Sequence, residues 1–314
     1  MREETSIAGA KPASMPTSNS ASAGVAVVIV TYNSAEVLGG LLDSLEQGLE
    51  GTRHYEIVVV DNASQDQSVA LARQHPIRAR VIETGRNGGY SAGINAAAAT
   101  VGDDVDILVL NPDIRLHRGS VARMRSRLLD PTIGVVVPQI LNEDGSVALS
   151  IRQEPSIIGA WSEALLGGRL SASLGLGEVI DDPLLYGNGG TVDWATGAAL
   201  LISAEARRQV GMWDETFFLY SEEVDYMERV RRTGLAVYYE PMSTVMHIGG
   251  DYQRNPYLSA LLTSNRIRYF GRHHGSVSTF LFRLGVAFGE ALRSGKRASH
   301  RASLRAALSP LGRV

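Results

Sequence analysis

The chain is 314 residues long, with 44% hydrophobic residues, 20% charged residues and a formal net charge of −3. That is the composition of a globular protein with material for a substantial core. The charge gives no overall case for nucleic-acid binding, and the absence of cysteine excludes disulfides, thiolate catalysis and Cys-ligated zinc.

No run approaches the roughly 18–20 apolar residues that a membrane span needs. Arg2 is followed by no apolar stretch of the secretory kind, so the expectation is a cytosolic enzyme. Residues 1–23 are rich in Ser, Ala, Pro and Thr without periodicity and read as a disordered leader. Order is expected from Val25-Ala26-Val27-Val28-Ile29-Val30, a β-branched run of the kind buried on both faces of a parallel sheet. It ends at Thr31-Tyr32-Asn33-Ser34, where Asn33 or Ser34 can cap a helix with Leu38, Leu41, Leu42 and Leu45 on one face. A second strand, residues 55–60, stops at Asp61-Asn62-Ala63-Ser64-Gln65-Asp66, with Ser64 or Asp66 as the next cap. A third, residues 79–83, leads into Gly85-Arg86-Asn87-Gly88-Gly89-Tyr90 and an Ala-rich helix over about 91–100. A fourth, residues 106–110, ends in Asn111-Pro112-Asp113.

Strand, polar tip and helix, repeated, are the grammar of an α/β doubly wound sheet, in which ligands bind beyond the carboxyl ends of the strands. Each tip here is also explained by helix capping; the three together favour a nucleotide pocket. The glycines at 85, 88 and 89 match neither G-x-G-x-x-G nor the P-loop pattern. They can let backbone approach a ligand, with Arg86 and Asn87 as donors, and a tight turn explains them equally. Pro112 fixes the backbone beside Asp113, and a held carboxylate together with a diphosphate can bind a hard divalent ion. The candidate second ligand is His247, for which a structural role is the other reading.

Residues 134–140 read as a further strand followed by a hairpin turn at 142–145. Residues 151–190 read as an irregular Gly-rich insertion, either shaping an acceptor site or forming a plain surface loop. Residues 192–202 then read as one strand into which Gly197 admits something close, and Ser203 caps a helix that Gly211 ends. Next come Glu222, Glu223 and Asp225, directly after the aromatic run Phe217-Phe218-Leu219-Tyr220. Adjacent acids beside apolar bulk resist ionising together, which suits a general base; acids at a solvated helix N-terminus are the plainer reading. Beyond Pro256 the pattern is helical, and from Arg293 onward six Lys or Arg residues occur with no acid. With Phe280-Leu281-Phe282 and Val286-Ala287-Phe288 this reads either as a basic amphipathic element on an anionic membrane or as a solvated helical tail.

In order and spacing, Val30-Thr31-Tyr32-Asn33, Val60-Asp61-Asn62-Ala63-Ser64, Arg86-Asn87-Gly88-Gly89-Tyr90 and Asn111-Pro112-Asp113 resemble the family 2 glycosyltransferases. The same holds for Trp194-Ala195-Thr196-Gly197-Ala198, Gly211-Met212-Trp213-Asp214-Glu215, Phe218 to Asp225, and His247, over roughly residues 25–275. Within the family the chain is most similar to bacterial rhamnosyltransferases acting on lipid-diphosphate-linked sugars. The resemblance implies a GT-A fold over 24–275, with a nucleotide-binding half at about 24–115, an acceptor half at about 130–255, and a helical basic tail at 276–314. It implies an inverting displacement from a nucleotide-sugar, dTDP-L-rhamnose first among donors, onto a glycan or polyprenyl-diphosphate-linked acceptor, at the inner face of the cell membrane. Thr31, Tyr32, Asn33, Asp61 and Asn62 would bind the nucleotide-sugar with Arg86, Asn87, Gly88, Asn111, Pro112 and Asp113. Asp113 stands last in the family's D-x-D motif, where Mg²⁺ or Mn²⁺ bridges to the diphosphate; Asn111, a weaker ligand, stands first. His247 matches a histidine near that metal, Trp194, Thr196 and Gly197 lie on the acceptor side, and Glu223 aligns with the catalytic base, with Glu222 and Asp225 beside it. A sugar nucleotidyltransferase would need an N-terminal Gly-rich loop that 25–34 lacks, and a silent carbohydrate-binding protein would not need Glu223, Asp113 and His247 together.

Overall fold

The computed structural model describes residues 24–249 and 255–310. The expected leader, Gly250 after His247 and the last four residues of the tail lie outside the described residues. The first half alternates β1 (Val25–Thr31), α1 (Ala35–Gly48), β2 (Tyr55–Asp61), α2 (Ser68–Gln74), β3 (Arg80–Glu83), α3 (Tyr90–Ala98) and β4 (Asp106–Leu110), and continues through β5 (Ile114–Leu116) and α4 (Ser120–Arg127). Then follow β6 (Ile133–Leu141), β7 (Ile151–Arg152), α5 (Ile157–Leu166), α6 (Gly168–Ser173), α7 (Pro183–Asn188), β8 (Gly190–Val192), β9 (Trp194–Ala195) and β10 (Ala199–Ile202). The chain continues with α8 (Ala204–Val210), α9 (Glu222–Arg232), β11 (Ala236–His247), α10 (Pro256–His273), α11 (Ser276–Arg293) and α12 (Ala298–Leu308).

The central sheet runs β3-β2-β1-β4-β10-β6-β11-β5, with β8 added against β11. Strands β3, β2, β1 and β4 are parallel, and so are β6 and β11; β10 is antiparallel between the two groups. Every residue of β1 is buried, because alternate side chains enter opposite cores. Ala26, Val28 and Val30 join α3, α8 and α9 on one face. Val25, Val27 and Ile29 join α1, α2 and α4 on the other, where Leu38, Leu41, Leu42 and Leu45 are all fully buried. Register pairs Thr31 with Asp61 and Asp61 with Glu83, so the polar tips align along one edge. Chain direction along the sheet reverses between β1 and β4, which opens the crevice that such folds use for ligands.

Three local expectations are corrected. Neither Asn33 nor Ser34 caps α1: the Asp66 carboxylate, from the next loop, accepts from Ala35 N–H at 2.9 Å and also from Ser68 N–H at 3.0 Å, so one side chain serves two helix starts. Residues 192–202 form three short strands rather than one, broken at Asp193 and Thr196–Ala198. Residues 151–190 are not irregular; they fold into α5, α6 and α7. Helix α5 packs on α11, where Cβ atoms built on Gly285 and Gly289 would lie 3.1 Å from Trp161 and Ala164. The expected cap at Ser203 forms, its hydroxyl accepting from Ala206 N–H, and Gly211 ends α8 at φ 75°.

Candidate active site

The first turn of α9 is set by the residues before it. Phe217 is fully buried, and Tyr220 and Ser221 both have φ 71°, a conformation that costs non-glycine residues of order 1–3 kcal/mol each. Helix α10 holds this turn. The buried Asn265 amide donates to Leu219 O at 2.9 Å and Tyr220 O at 3.2 Å, and Arg268 donates to Thr216 O at 2.6 Å. The turn delivers Glu222, 4% exposed, and the half-buried Glu223 into the crevice. One buried carboxylate oxygen on each, Oε2, lacks a hydrogen-bond partner.

Helix-terminal backbone N–H groups favour ionised acids by about 0.3–1 kcal/mol, whereas full burial can shift a carboxyl by roughly 3–5 units the other way. Burial wins here. Desolvation raises Glu223 to about 7 despite backbone hydrogen bonds and the field of Arg152. Desolvation, and then the neighbouring Glu223 charge, push Glu222 well above the usual range. The pair therefore carries one proton near neutrality. The plainer reading, of solvated acids at a helix start, does not hold.

Two glycines admit this arrangement. Gly89 has φ 87°, and a Cβ there would lie 2.1 Å from Phe218 O. Tyr90 N–H donates to that same oxygen at 2.9 Å, tying the loop of the first half to the turn before α9. A Cβ on Gly197 would lie 3.4 Å from Glu223 Cβ, so the close neighbour of Gly197 is the Glu223 side chain. Tyr90 O–H donates to Gly197 O at 3.4 Å. Burial and then the charges of Glu222, Asp113 and Glu223 hold Tyr90 as a phenol. Tyr90 thus feels the charge of all three acids, an environment that its place at the end of the Gly-rich turn did not announce.

Asp113 and His247 meet because β5, directly after Asp113, pairs with the end of β11, His247 opposite Ile114. His247 Nε2 lies 3.0 Å from Asp113 Oδ2, and Ile248 N–H donates to Asp113 O at 2.9 Å. Asp113 Oδ1 is buried without a partner. Among the described residues no three acids or histidines cluster around a common metal position. One carboxylate with an orphaned oxygen and one imidazole fit a hard divalent ion that takes its other ligands from a phosphate-bearing molecule.

The remaining candidates are placed as follows. Thr31 hydroxyl donates to Asp61 Oδ1 at 3.0 Å, and Asp61 Oδ2 accepts from Ser64 N–H at 2.9 Å. Tyr32 is half exposed at the mouth, and Asn33 Oδ1 accepts from Gln65 N–H at 2.7 Å. Asn62 donates to Gly89 O at 2.9 Å, and Asn87 Oδ1 accepts from Gly89 N–H at 3.1 Å, closing the turn around Gly88. Arg86 is exposed. Asn111 N–H donates to Ala198 O at 2.9 Å, and Pro112 follows it into the Asp113 turn. Asp225 is not part of the cluster: Arg229 Nε donates to it at 2.8 Å, and Arg229 also holds Val210 O and Met212 O. Trp194 is buried with its indole N–H donating to Gln153 O at 2.8 Å, and Thr196 N–H donates to Ser150 O at 3.0 Å.

Sequence reading also missed Arg152 and Glu178. The Arg152 guanidinium lies 5.9 Å from the Trp194 ring centre, and Arg152 and Glu178 pull Glu223 in opposite directions. Glu178 and Glu163 share Arg266 at 2.6 and 3.0 Å. No local pattern announces these; they meet Glu223 through the fold.

The profile of Glycosyl transferase family 2 matches residues 26–177. An N-acetylglucosaminyl-diphospho-decaprenol L-rhamnosyltransferase of Mycobacterium tuberculosis is 32% identical over 236 residues, covering 70% of this chain and 75% of the relative. The rhamnosyltransferase WbbL of Escherichia coli K12 is 24% identical over 261 residues, covering 79% and 93%. Among solved structures, a Pyrobaculum calidifontis mannosyltransferase in complex with GDP-Man and Mn²⁺ superposes with a TM-score of 0.55 at 16% identity, over 90% of this chain and 79% of that one. The fold is GT-A, a mostly parallel sheet flanked by helices with further helices at the C-terminal end. With that architecture and a relative of this identity spanning most of both chains, the chain belongs to glycosyl transferase family 2.

Proposed function

We propose that this glycosyltransferase moves L-rhamnose from dTDP-L-rhamnose to a hydroxyl of a polyprenyl-diphosphate-linked glycan at a membrane surface, with inversion at the anomeric carbon. The observation that carries the chemistry is Glu223, half-buried against Gly197 with an unpartnered oxygen and a proton affinity near neutrality. A base must be ionisable at working pH and keep one oxygen open to the incoming hydroxyl, and Glu223 meets both conditions through its unpartnered Oε2. It takes the proton of the attacking hydroxyl as the new glycosidic bond forms, while the bond to the nucleoside diphosphate breaks and its electrons leave with the phosphate oxygen.

Glu222 keeps its proton and limits the negative charge at the base. Tyr90, a phenol in reach of Gly197 O, supplies a neutral donor between the acids. Asp113 and His247 are the residues that would hold Mg²⁺ or Mn²⁺, whose chemistry is to neutralise charge on the departing diphosphate. Thr31, Asp61, Asn62 and the 85–89 turn shape the nucleotide side, with Tyr32 and Arg86 exposed towards the donor. The lipid-linked acceptor and the donor sugar draw support from the rhamnosyltransferase relatives. The test is a screen of dTDP-rhamnose, UDP-glucose, UDP-galactose, UDP-galactofuranose and GDP-mannose with Mg²⁺ or Mn²⁺, read by thermal shift and slow donor hydrolysis. Stabilisation by dTDP-rhamnose alone is expected; a UDP-sugar as best ligand overturns the donor, and no nucleotide-sugar binding overturns the pocket.

A further inference from the structure

Helix α11 is apolar on two opposite faces. Phe282, Gly285, Val286 and Gly289 are buried against neighbouring helices. On the other side Val277, Phe280, Leu281, Leu284, Phe288 and Leu292, at the three-, four- and seven-residue offsets of one helix face, form one solvent-exposed stripe. A helix at a protein surface ordinarily turns polar residues outward. Helix α5 repeats the anomaly: Ile158 and Leu165 are exposed on either side of Trp161. The Trp161 ring stacks on Phe288 with centroids 5.8 Å apart, and its indole N–H donates to Leu281 O at 3.1 Å. That contact joins the two stripes into one surface, and the next helix, α6, which packs on α5, carries exposed Leu170 and is followed by exposed Leu174. Scattered apolar side chains need no explanation, but a contiguous apolar surface of this extent marks an interaction site.

The charge around the surface has one sign. Between Ser276 and Pro310 the single acid is Glu290, and His300 lies 2.8 Å from it. The acid of α5, Glu163, points inward to Arg266. The exposed bases are Arg169 on α6, Lys296 and Arg297 in the turn just past Leu292, and Arg301 and Arg305 on α12. Arg297, Arg301 and Arg305 recur every four residues, on the side of α12 opposite the buried Ser299, Ser303 and Ala307. The basic tail is therefore a helix packed on its neighbours, and the apolar part of the surface comes from α11, α5 and α6.

We propose that the α5–α6–α11 face docks on an anionic lipid bilayer, its apolar stripe entering the headgroup–acyl boundary and the bases at 169 and 296–305 meeting lipid phosphates. Charge complementarity selects this occupant: an exposed apolar stripe followed directly by exposed bases in the turn at its end and on the next helix, with few acids in these segments, fits a negatively charged membrane. The inference uses no donor or acceptor assignment, although it gives a transferase with a lipid-linked acceptor a fixed orientation on the membrane.

The test is flotation of the whole protein with phosphatidylcholine vesicles, with and without phosphatidylglycerol, alongside sedimentation velocity without lipid. Wild type should float only with the anionic vesicles. The variant Lys296→Ser/Arg297→Ser/Arg305→Ser should lose about a hundredfold in partitioning, at roughly fivefold per base. Val277→Ser/Phe280→Ser/Leu292→Ser, at the most exposed positions of the stripe, should lose binding while keeping wild-type donor hydrolysis and melting temperature. Equal flotation of wild type and either variant overturns the proposal. So does a wild-type dimer that the apolar variant dissolves, which would make the face a contact between copies. Absent donor hydrolysis in all proteins would count against the transferase reading and leave the flotation result standing.

Discussion

Two acid-bearing regions of the crevice behave in opposite ways. At the tips of β1 and β2 every carboxylate oxygen has a partner: Asp61 serves Thr31 and Ser64, and Asp66 serves Ala35 and Ser68. Desolvation alone would raise Asp66, yet the bonds from Ser68 and Ala35 outweigh it and hold that carboxyl below its ordinary value. Across the crevice, Glu222 Oε2, Glu223 Oε2 and Asp113 Oδ1 are buried with no partner. A buried acceptor left unpaired costs about 1–3 kcal/mol. The first region spends its acids on holding helix starts and strand ends. The second keeps acceptors open at a cost in stability, which suits the proposed roles of taking a hydroxyl proton and holding a cation.

The comparison can be broken most sharply at Glu223. Glu223→Gln should lower turnover by roughly 10²–10⁴-fold with donor affinity within about threefold of wild type, measured by single-turnover kinetics and calorimetry. Asp66→Asn, at a fully partnered acid, should instead lower the melting temperature and leave turnover per folded molecule unchanged. Asp113→Asn should weaken Mn²⁺-dependent binding of the nucleoside diphosphate by roughly tenfold or more, read by titration without acceptor; unchanged affinity would detach Asp113 from the diphosphate. Asn265→Ala removes both donors from the left-handed turn before Glu222. We expect a loss of about 1–3 kcal/mol in stability and a fall in kcat larger than any change in donor KM.

The smallest effect is a pH-dependent stability difference. Glu223 is raised when folded, so between its unfolded value near 4.5 and about 7 the folded state binds more protons than the unfolded state. Stability therefore falls as pH rises through that window. Glu223→Gln should melt roughly 5 °C above wild type at pH 8, and the two should converge near pH 4.

Much of this was legible in the chain. The unbroken apolar runs 25–30 and 57–60, buried throughout, mark a parallel sheet because such strands tolerate few polar residues on either face. The acids after Phe217–Tyr220 stood out because they break a hydrophobic run. Where reading failed, the cause was tertiary. Residues 157–166 of α5 carry apolar side chains around most of the helix, since one side packs on α11 and the other is exposed, so no amphipathic period was visible. The cap of α1 came from Asp66, 31 residues away. Tyr90 and Arg152 acquire meaning only once Gly197, Trp194 and α9 are folded around them.

The most direct test of the central claim, that Glu223 rather than its neighbour is the base, is the pH dependence of kcat/KM for wild type, Glu222→Gln and Glu223→Gln. Because Glu222 holds its proton when Glu223 loses its own, wild type and Glu222→Gln should both rise with pH and inflect near 7, while Glu223→Gln should be slow and flat. An inflection lost in Glu222→Gln and kept in Glu223→Gln would contradict the account and move the base one residue earlier.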